Sequence, residues 1–236
     1  MNQNGPQYEV DLVDIDFDGL YRGSELAPGV ALPAIPWDIG QVQPFVVELE
    51  AAGRFRGQVL DIGCGLGDNA IYLAGKGYQV LGLDAAATAI ERARERAREL
   101  GVEVEFEVAD ALKLDGFDGR FDSVLDSACY HCFDDADRRV YTAALHRATT
   151  EGALLNLHCF TDAGTLSSHP LTFSEANLRE TLGAAGWEIT SLDQTDYLVN
   201  AKLKDFAAAL HLRLDEPADG SELPRMPVWA LQAVRA

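Results

Sequence analysis

The stretch Val59-Leu60-Asp61-Ile62-Gly63-Cys64-Gly65-Leu66-Gly67-Asp68 decides the fold. Its first four residues form a short apolar run ending in glycines, the pattern of a buried strand. Gly63, Gly65 and Gly67 then permit tight turns and let a ligand approach the backbone closely. Asp68 to Lys76 is spaced as a helix that stops at Gly77. Dinucleotide-binding loops share this strand-turn-helix layout. Here, however, the spacing is G-x-G-x-G, and Asp68 stands where a dinucleotide loop has its third glycine. A carboxylate at a helix start repels a pyrophosphate and suits a cationic ligand.

Outward from the loop, strand and helix alternate. Val80 to Asp84 predicts a second buried strand, and Thr88 to Leu100 predicts a helix followed by Gly101. Val102, Val104, Phe106 and Val108 alternate with glutamates, so this strand has one wet face. Phe121 to Asp126 and Ala153 to His158 predict further strands around the helix Ala136 to Arg147. Leu178 to Ala185 is a helix closed by Gly186, and Trp187 to Leu192 and Val228 to Val234 are the last strands. Such alternation implies an α/β fold, a doubly wound and mainly parallel sheet with helices on both faces. Ligands in such sheets sit at the carboxyl ends of the strands, where Asp84, Asp110 and Asp126 also fall. An acid about 20 positions after the glycine loop can accept both ribose hydroxyls, which is the place of Asp84. Asp110 can receive an adenine amino group or cap a helix.

The flanks differ. Residues 1–50 carry Asp11, Asp14, Asp16 and Asp18 and then four prolines, which predicts an extended loop over 26–37 and a short helix over 42–52. Residues 200–226 read as an insert with a helix at Lys202 to Leu212 and an acidic, proline-containing loop. Residues 1–50 and 160–175, with the insert, are expected to close over the site and exclude water, leaving 51–236 as the main domain.

With 236 residues, 47% apolar and 24% charged, the chain suffices for one well-cored domain. A net charge of −19 argues against nucleic acid as a partner. Arg92, Arg94, Arg96 and Arg98 alternate with Glu91, Glu95 and Glu99 and read as a solvated face with local ion pairs. No stretch approaches the roughly 20 apolar residues of a membrane span. The N-terminus lacks a signal peptide's regions, so a cytoplasmic protein with reduced Cys64, Cys129, Cys132 and Cys159 is expected, as monomer or homodimer.

Val59 to Gly67, Asp84, Ala109-Asp110-Ala111 and Phe121 to Ser127 together resemble successive motifs of the class I S-adenosylmethionine-dependent methyltransferases. Thr172 to Trp187 resembles that family's late helix and Gly-Trp strand start, and the resemblance covers 58–195 and the final strand. It implies a Rossmann-like seven-stranded sheet with an antiparallel last strand. It also implies S-adenosylmethionine as cofactor, contacted by Asp61, Gly63, Cys64, Gly65, Asp84, Ala85, Asp110, Ala111, Asp126 and Ser127. More narrowly, Ile35-Pro36-Trp37-Asp38 and Asp126 to Asp135 are similar to mycobacterial heterocyclic toxin methyltransferases and, more distantly, to thiopurine and tellurite-type methyltransferases. In those families an N-terminal Pro-Trp segment covers the cofactor, so Trp37 either packs over it or anchors the arm.

On the acceptor side, Tyr130 and His131 follow the fourth strand, and His131 can act as a base while Tyr130 stacks on a flat substrate. Either can instead be structural, because methyl transfer often needs only alignment. His158, Phe160 and Tyr21 are further substrate candidates, with Phe173 and Trp229 as possible pocket walls. Cys129-x-x-Cys132 near His158 and Cys159 has zinc-ligand chemistry, but a single C-x-x-C predicts no metal. The reading is an in-line methyl transfer to a small aromatic heterocycle through oxygen, nitrogen or sulfur, in detoxification or secondary metabolism. A nicotinamide-dependent oxidoreductase and a non-catalytic cofactor-binding module are the alternatives.

Overall fold

The computed structural model describes residues 15–26, 28–161, 173–204, 207, 214–215 and 223–236. In chain order the elements are α1 (Phe17–Tyr21), α2 (Pro44–Ala51), β1 (Gln58–Ile62), α3 (Asp68–Gly75), β2 (Gln79–Asp84), α4 (Ala87–Leu100) and β3 (Glu105–Val108). There follow β4 (Phe121–Ser127), α5 (Asp135–Ala148), β5 (Thr149–Phe160), α6 (Glu175–Ala184), β6 (Trp187–Leu198) and β7 (Arg225–Arg235). Short 3-10 turns lie at Tyr130–Cys132 and Ala201–Leu203.

The seven strands form one sheet in the order β3-β2-β1-β4-β5-β7-β6. Strands β1 to β5 pair in parallel, and β7 runs antiparallel to both β5 and β6, as the family resemblance implied. The chain starts at β1 in the middle, winds outward to β3, and returns to β4 on the other side of β1. Such a reversal leaves a crevice beyond the carboxyl ends of β1 and β4. Their register pairs Ile62 with Asp126, so Gly63 and Ser127 leave the sheet side by side.

Each face of the sheet carries its own core. Tyr141, Leu145, Leu178 and Leu182 of α5 and α6 pack on one side with Leu60, Leu81 and Val124. Phe45, Val46, Ile71, Leu73, Ile90 and Ala93 of α2, α3 and α4 pack on the other with Val59 and Val80. The central strands β1 and β4 are buried almost throughout, which explains their continuous apolar runs.

Some expectations needed correction. The third strand begins at Glu105 rather than Val102, because Val102 donates its N–H to Ala97 O (3.0 Å) and closes α4 behind the left-handed Gly101. The arginines of α4 do not form ladders with their own glutamates among the described contacts. Arg92 donates to Tyr21 O and Arg94 to Phe106 O, while Arg96 pairs with Asp68 and Asp38. Strand β6 runs six residues past Leu192, held by continuous pairing to β7 out to Leu198–Arg225. The helix expected at Lys202 to Leu212 begins as the 3-10 turn Ala201–Leu203, and most of it lies outside the described residues, as do Asp11, Asp14 and 162–172.

Residues 15–43 are pinned across the carboxyl edge by polar contacts. Asp18 accepts from Thr88 N at the start of α4 (2.8 Å). Asn200 donates from its main chain to Pro36 O (2.8 Å) and from its side chain to Asp38 O (2.6 Å). No helix among the described residues is long and apolar enough to cross a membrane.

Gly67 sets how tightly α3 packs. It has φ +83°, and a Cβ there would lie 2.6 Å from the Phe106 ring and 3.1 Å from Ala93 Cβ. Gly67→Ala is therefore expected to destabilise the fold by about 2–4 kcal/mol, the sum of left-handed strain and overpacking. A change in urea-unfolding free energy below 0.5 kcal/mol, roughly the scatter of surface substitutions, would contradict this.

Candidate active site

The glycine loop is tied to the end of β2. Gly63 and Cys64 donate their N–H groups to Leu83 O (2.8 and 3.0 Å), and Gly65 N donates to Asp84 Oδ2 (2.9 Å). Ala86 N donates to Asp84 Oδ1 (2.8 Å). Burial raises the Asp84 carboxyl's pKa, and these backbone donors offset part of that rise. Each carboxylate oxygen retains a further lone pair for a ligand hydroxyl.

Two cavities open at this edge. The larger, of about 310 Å³, runs from Asp84, Ala85, Asp110 and Ala111 past His131 and Phe160 to Leu203 and Met226. The smaller, of about 40 Å³, lies under the glycine loop between Cys64, Asp68, Asn69 and Gln43. Trp37 touches both, and its indole Nε1 donates to the Tyr21 hydroxyl (2.7 Å). A Cβ at Gly65 would lie 2.8 Å from that hydroxyl, so the aromatic pair sits directly over the loop.

Asp61 lies fully buried near the end of β1, and no side chain donates a hydrogen bond to its carboxylate. Burial raises its pKa to about 7, with the Ala70 N–H opposing and Asp126 and Asp84 reinforcing the rise. Asp61 borders neither cavity, yet a buried carboxylate with no side-chain donor suits a nearby cationic ammonium group. Asp110 is half-exposed, accepts from Leu112 N (2.9 Å) and pairs with Lys113 Nζ (2.7 Å), which lowers its pKa. It caps a turn rather than a helix, and it still lines the large cavity.

Several sequence candidates lie elsewhere. Asp126 borders neither cavity. Its carboxylate accepts from Cys129 N (2.7 Å), Tyr130 N (3.1 Å) and the Tyr141 hydroxyl (2.7 Å), and so braces the turn after β4. Burial still holds its pKa at about 6. Tyr130 has no exposed surface. It packs in the core, edge-on to Phe173 (5.4 Å between centroids) and beneath the Arg138 guanidinium, so it cannot stack on a substrate. His158 is stacked on Phe45 (3.7 Å) and borders neither cavity, and burial alone lowers its pKa to about 3. Phe173 and Trp229 belong to the core, where Trp229 Nε1 donates to Phe173 O.

His131 and Phe160 do reach the large cavity, with their rings stacked at 3.7 Å and 14°. Cys129 and Cys132 line it as protonated thiols, burial pushing Cys132 to about 12. No group of three or more metal-ligating side chains converges among the described residues. The sequence reading missed Gln43 and Tyr197. Tyr197 lies beyond the point where alternation in β6 becomes irregular, and Gln43 carries no motif.

Residues 59–152 match the family model of a methyltransferase domain. Over 225 residues the chain is 35% identical to the 2-heptyl-1-hydroxyquinolin-4(1H)-one methyltransferase of Mycobacteroides abscessus, covering 93% of this chain and 96% of that one. It belongs to the S-adenosylmethionine-dependent methyltransferases. A second relative, a probable thiol methyltransferase of Arabidopsis thaliana, is 25% identical and covers 72% of this chain and 76% of its own. A solved structure concerned with conversion of a disulfide bond into a thioacetal group during echinomycin biosynthesis aligns with TM-score 0.77 and 37% identity, covering 93% of this chain and 90% of that one. A Methanosarcina mazei methyltransferase shares the fold at 22% identity and TM-score 0.60, covering 83% and 98%. This membership sets aside the oxidoreductase and the non-catalytic module.

The buried acids impose a pH dependence. Asp61 titrates at about 7 and Asp126 at about 6 in the fold, against 3.8 ordinarily. Between these limits the two acids hold more protons in the folded chain than in the unfolded one and their contribution to stability falls as pH rises, while His158, lowered to about 3, opposes them up to its ordinary 6.5. The urea midpoint of the ligand-free protein should drop from about pH 5 to about pH 8, and Asp61→Asn should reduce that drop by about 1 kcal/mol or more. An Asp61→Asn variant with the same pH dependence as the parent chain would show Asp61 to be ionised already at low pH.

Proposed function

We propose that this methyltransferase acts on a flat, uncharged heteroaromatic acceptor held against the His131–Phe160 stack. The observation that carries this reading is the wall of the 310 Å³ cavity: no Lys or Arg lines it among the described residues, and its polar groups are few. An anionic acceptor would find no counter-ion there, whereas a planar ring gains apolar contact and ring stacking. The quinolone named for the mycobacterial relative is a molecule of this shape. An acceptor of this kind is consistent with a role in detoxification or secondary metabolism.

In the same reading Asp84 accepts the ribose hydroxyls, Ala85, Asp110 and Ala111 border the adenine, and Gly63, Cys64 and Gly65 line the recess for the amino-acid end, with the buried Asp61 preceding them in β1. Bound there, S-adenosylmethionine supplies an electrophilic methyl group to an oxygen, nitrogen or sulfur of the acceptor. Trp37 and Tyr21 close the recess, and residues 15–43 keep water from it. His131 accepts the proton that the acceptor loses, and the Phe160 ring fixes its orientation. Tyr130 and Asp126 take no part beyond shaping the turn that carries Ser127 and His131.

Labelled S-adenosylmethionine with a panel of hydroxyquinolones, phenols and thiols, read by mass, tests the acceptor. Methylation of the hydroxyquinolones above the thiols is expected, and preference for an anionic or aliphatic acceptor would refute the assignment. His131→Ala should lower kcat about 10²-fold while leaving cofactor affinity unchanged. Full turnover in that variant would mean that alignment alone drives the transfer.

A further inference from the structure

Four residues border both cavities: Trp37, Gly63, Ser127 and Tyr197. They form the neck between the recess under the glycine loop and the large apolar space. A ligand with its amino-acid end in the recess and its nucleoside against Asp84 must pass its central sulfur through this neck. This placement rests on the reading given above. Ser127 reaches the neck because β4 ends beside β1. Tyr197 reaches it only because β6 continues to Leu198.

The end of β6 is fixed by a two-way clasp. Gln43 Nε2 donates to Leu198 O (2.9 Å), and Leu198 N donates to Gln43 Oε1 (3.1 Å). Gln43 N in turn donates to Asn69 Oδ1 (3.1 Å), which ties the clasp to the first turn of α3. The Tyr197 ring leans on Phe45, 5.9 Å between centroids. Its hydroxyl lies 3.4 Å from Ser127 Oγ. Five residues from four parts of the chain thus hold one phenol at the neck.

We infer that Tyr197, with Ser127 beside it, is a donor-recognition residue whose hydroxyl oxygens face the sulfonium and its methyl group at the neck. A sulfonium polarises its attached C–H groups, and hydroxyl oxygens accept such contacts. One hydroxyl can donate to the other and both oxygens still keep lone pairs directed elsewhere. Burial holds the Tyr197 phenol protonated, pushed up to about 12, so it acts as a neutral dipole and not as a base. The product S-adenosylhomocysteine carries an uncharged thioether and gains nothing from these oxygens. The neck therefore favours the charged donor over the spent product, a discrimination that the apolar wall alone lacks.

Calorimetry with S-adenosylmethionine and S-adenosylhomocysteine tests this in the full chain. Tyr197→Phe should weaken donor binding roughly two- to five-fold, the size of one C–H···O contact, and leave product binding unchanged. Ser127→Ala should shift the ratio in the same direction and carries the test if Tyr197→Phe melts at lower temperature. Asp84→Asn should weaken both molecules alike. Equal loss of both ligands in Tyr197→Phe, or loss of neither, overturns the inference. Unchanged binding of both by Asp84→Asn overturns the placement of the cofactor, and the inference with it.

Discussion

The turn after β1 is held open by its neighbours rather than by its own side chains. Leu83 O and Asp84 Oδ2 together take the N–H groups of Gly63, Cys64 and Gly65, so three consecutive donors of the loop point into the end of β2. Glycine at these positions meets positive φ at 63 and 65 without strain. The same carboxylate that ties the loop faces the large cavity. Loop geometry and the polar end of that cavity thus depend on one side chain. Backbone donors lower the cost of keeping Asp84 ionised at a buried place, so the acid can do both.

A second buried acid does comparable work after β4 without touching a ligand space. Asp126 gathers two backbone N–H groups and the Tyr141 hydroxyl. It thereby forces Ala128 into the left-handed region, φ +76°, at a cost of roughly 1–2 kcal/mol. That turn swings Tyr130 into the core and leaves Ser127, Cys129 and His131 on the cavity wall. Two neighbouring residues of one motif, Tyr130 and His131, are sent to opposite sides by this single brace.

The N-terminal arm is fastened by different physics. Its apolar contacts are the small cluster of Tyr21, Ile35 and Trp37 with Leu66, Ala86 and Ala89, and Leu32 and Val42 against the core on the α2–α4 face. Beyond that it hangs on Asp18, Asp38 and Gln43, each bonded to another element. Polar pins of this kind contribute little individually, so the arm opens at lower cost than the sheet below it. Arg96 is central to the fastening, because one guanidinium spans Asp38 of the arm and Asp68 of the loop helix.

The alternation of strands and helices and the glycine loop were legible in the sequence because each rests on short-range rules. Continuous apolar runs need burial on both faces, positive-φ turns need glycine, and alternating strands and helices need right-handed crossovers. Asp84 and Asp110 were legible for the same reason, since strand ends point to one edge. The acceptor side was not. Tyr130, His131 and His158 carry the same chemistry in the sequence, and only the brace at Asp126 and the stack on Phe45 decide which one meets the cavity. Tyr197 was invisible because its position depends on pairing with β7 and on a clasp from Gln43, residues far away in the chain. Sequence alone determined the sheet, the loop and the methyl donor. Tertiary structure decided which side chains stand at the neck between the two cavities, because that neck is assembled from four separate segments whose meeting no local pattern encodes.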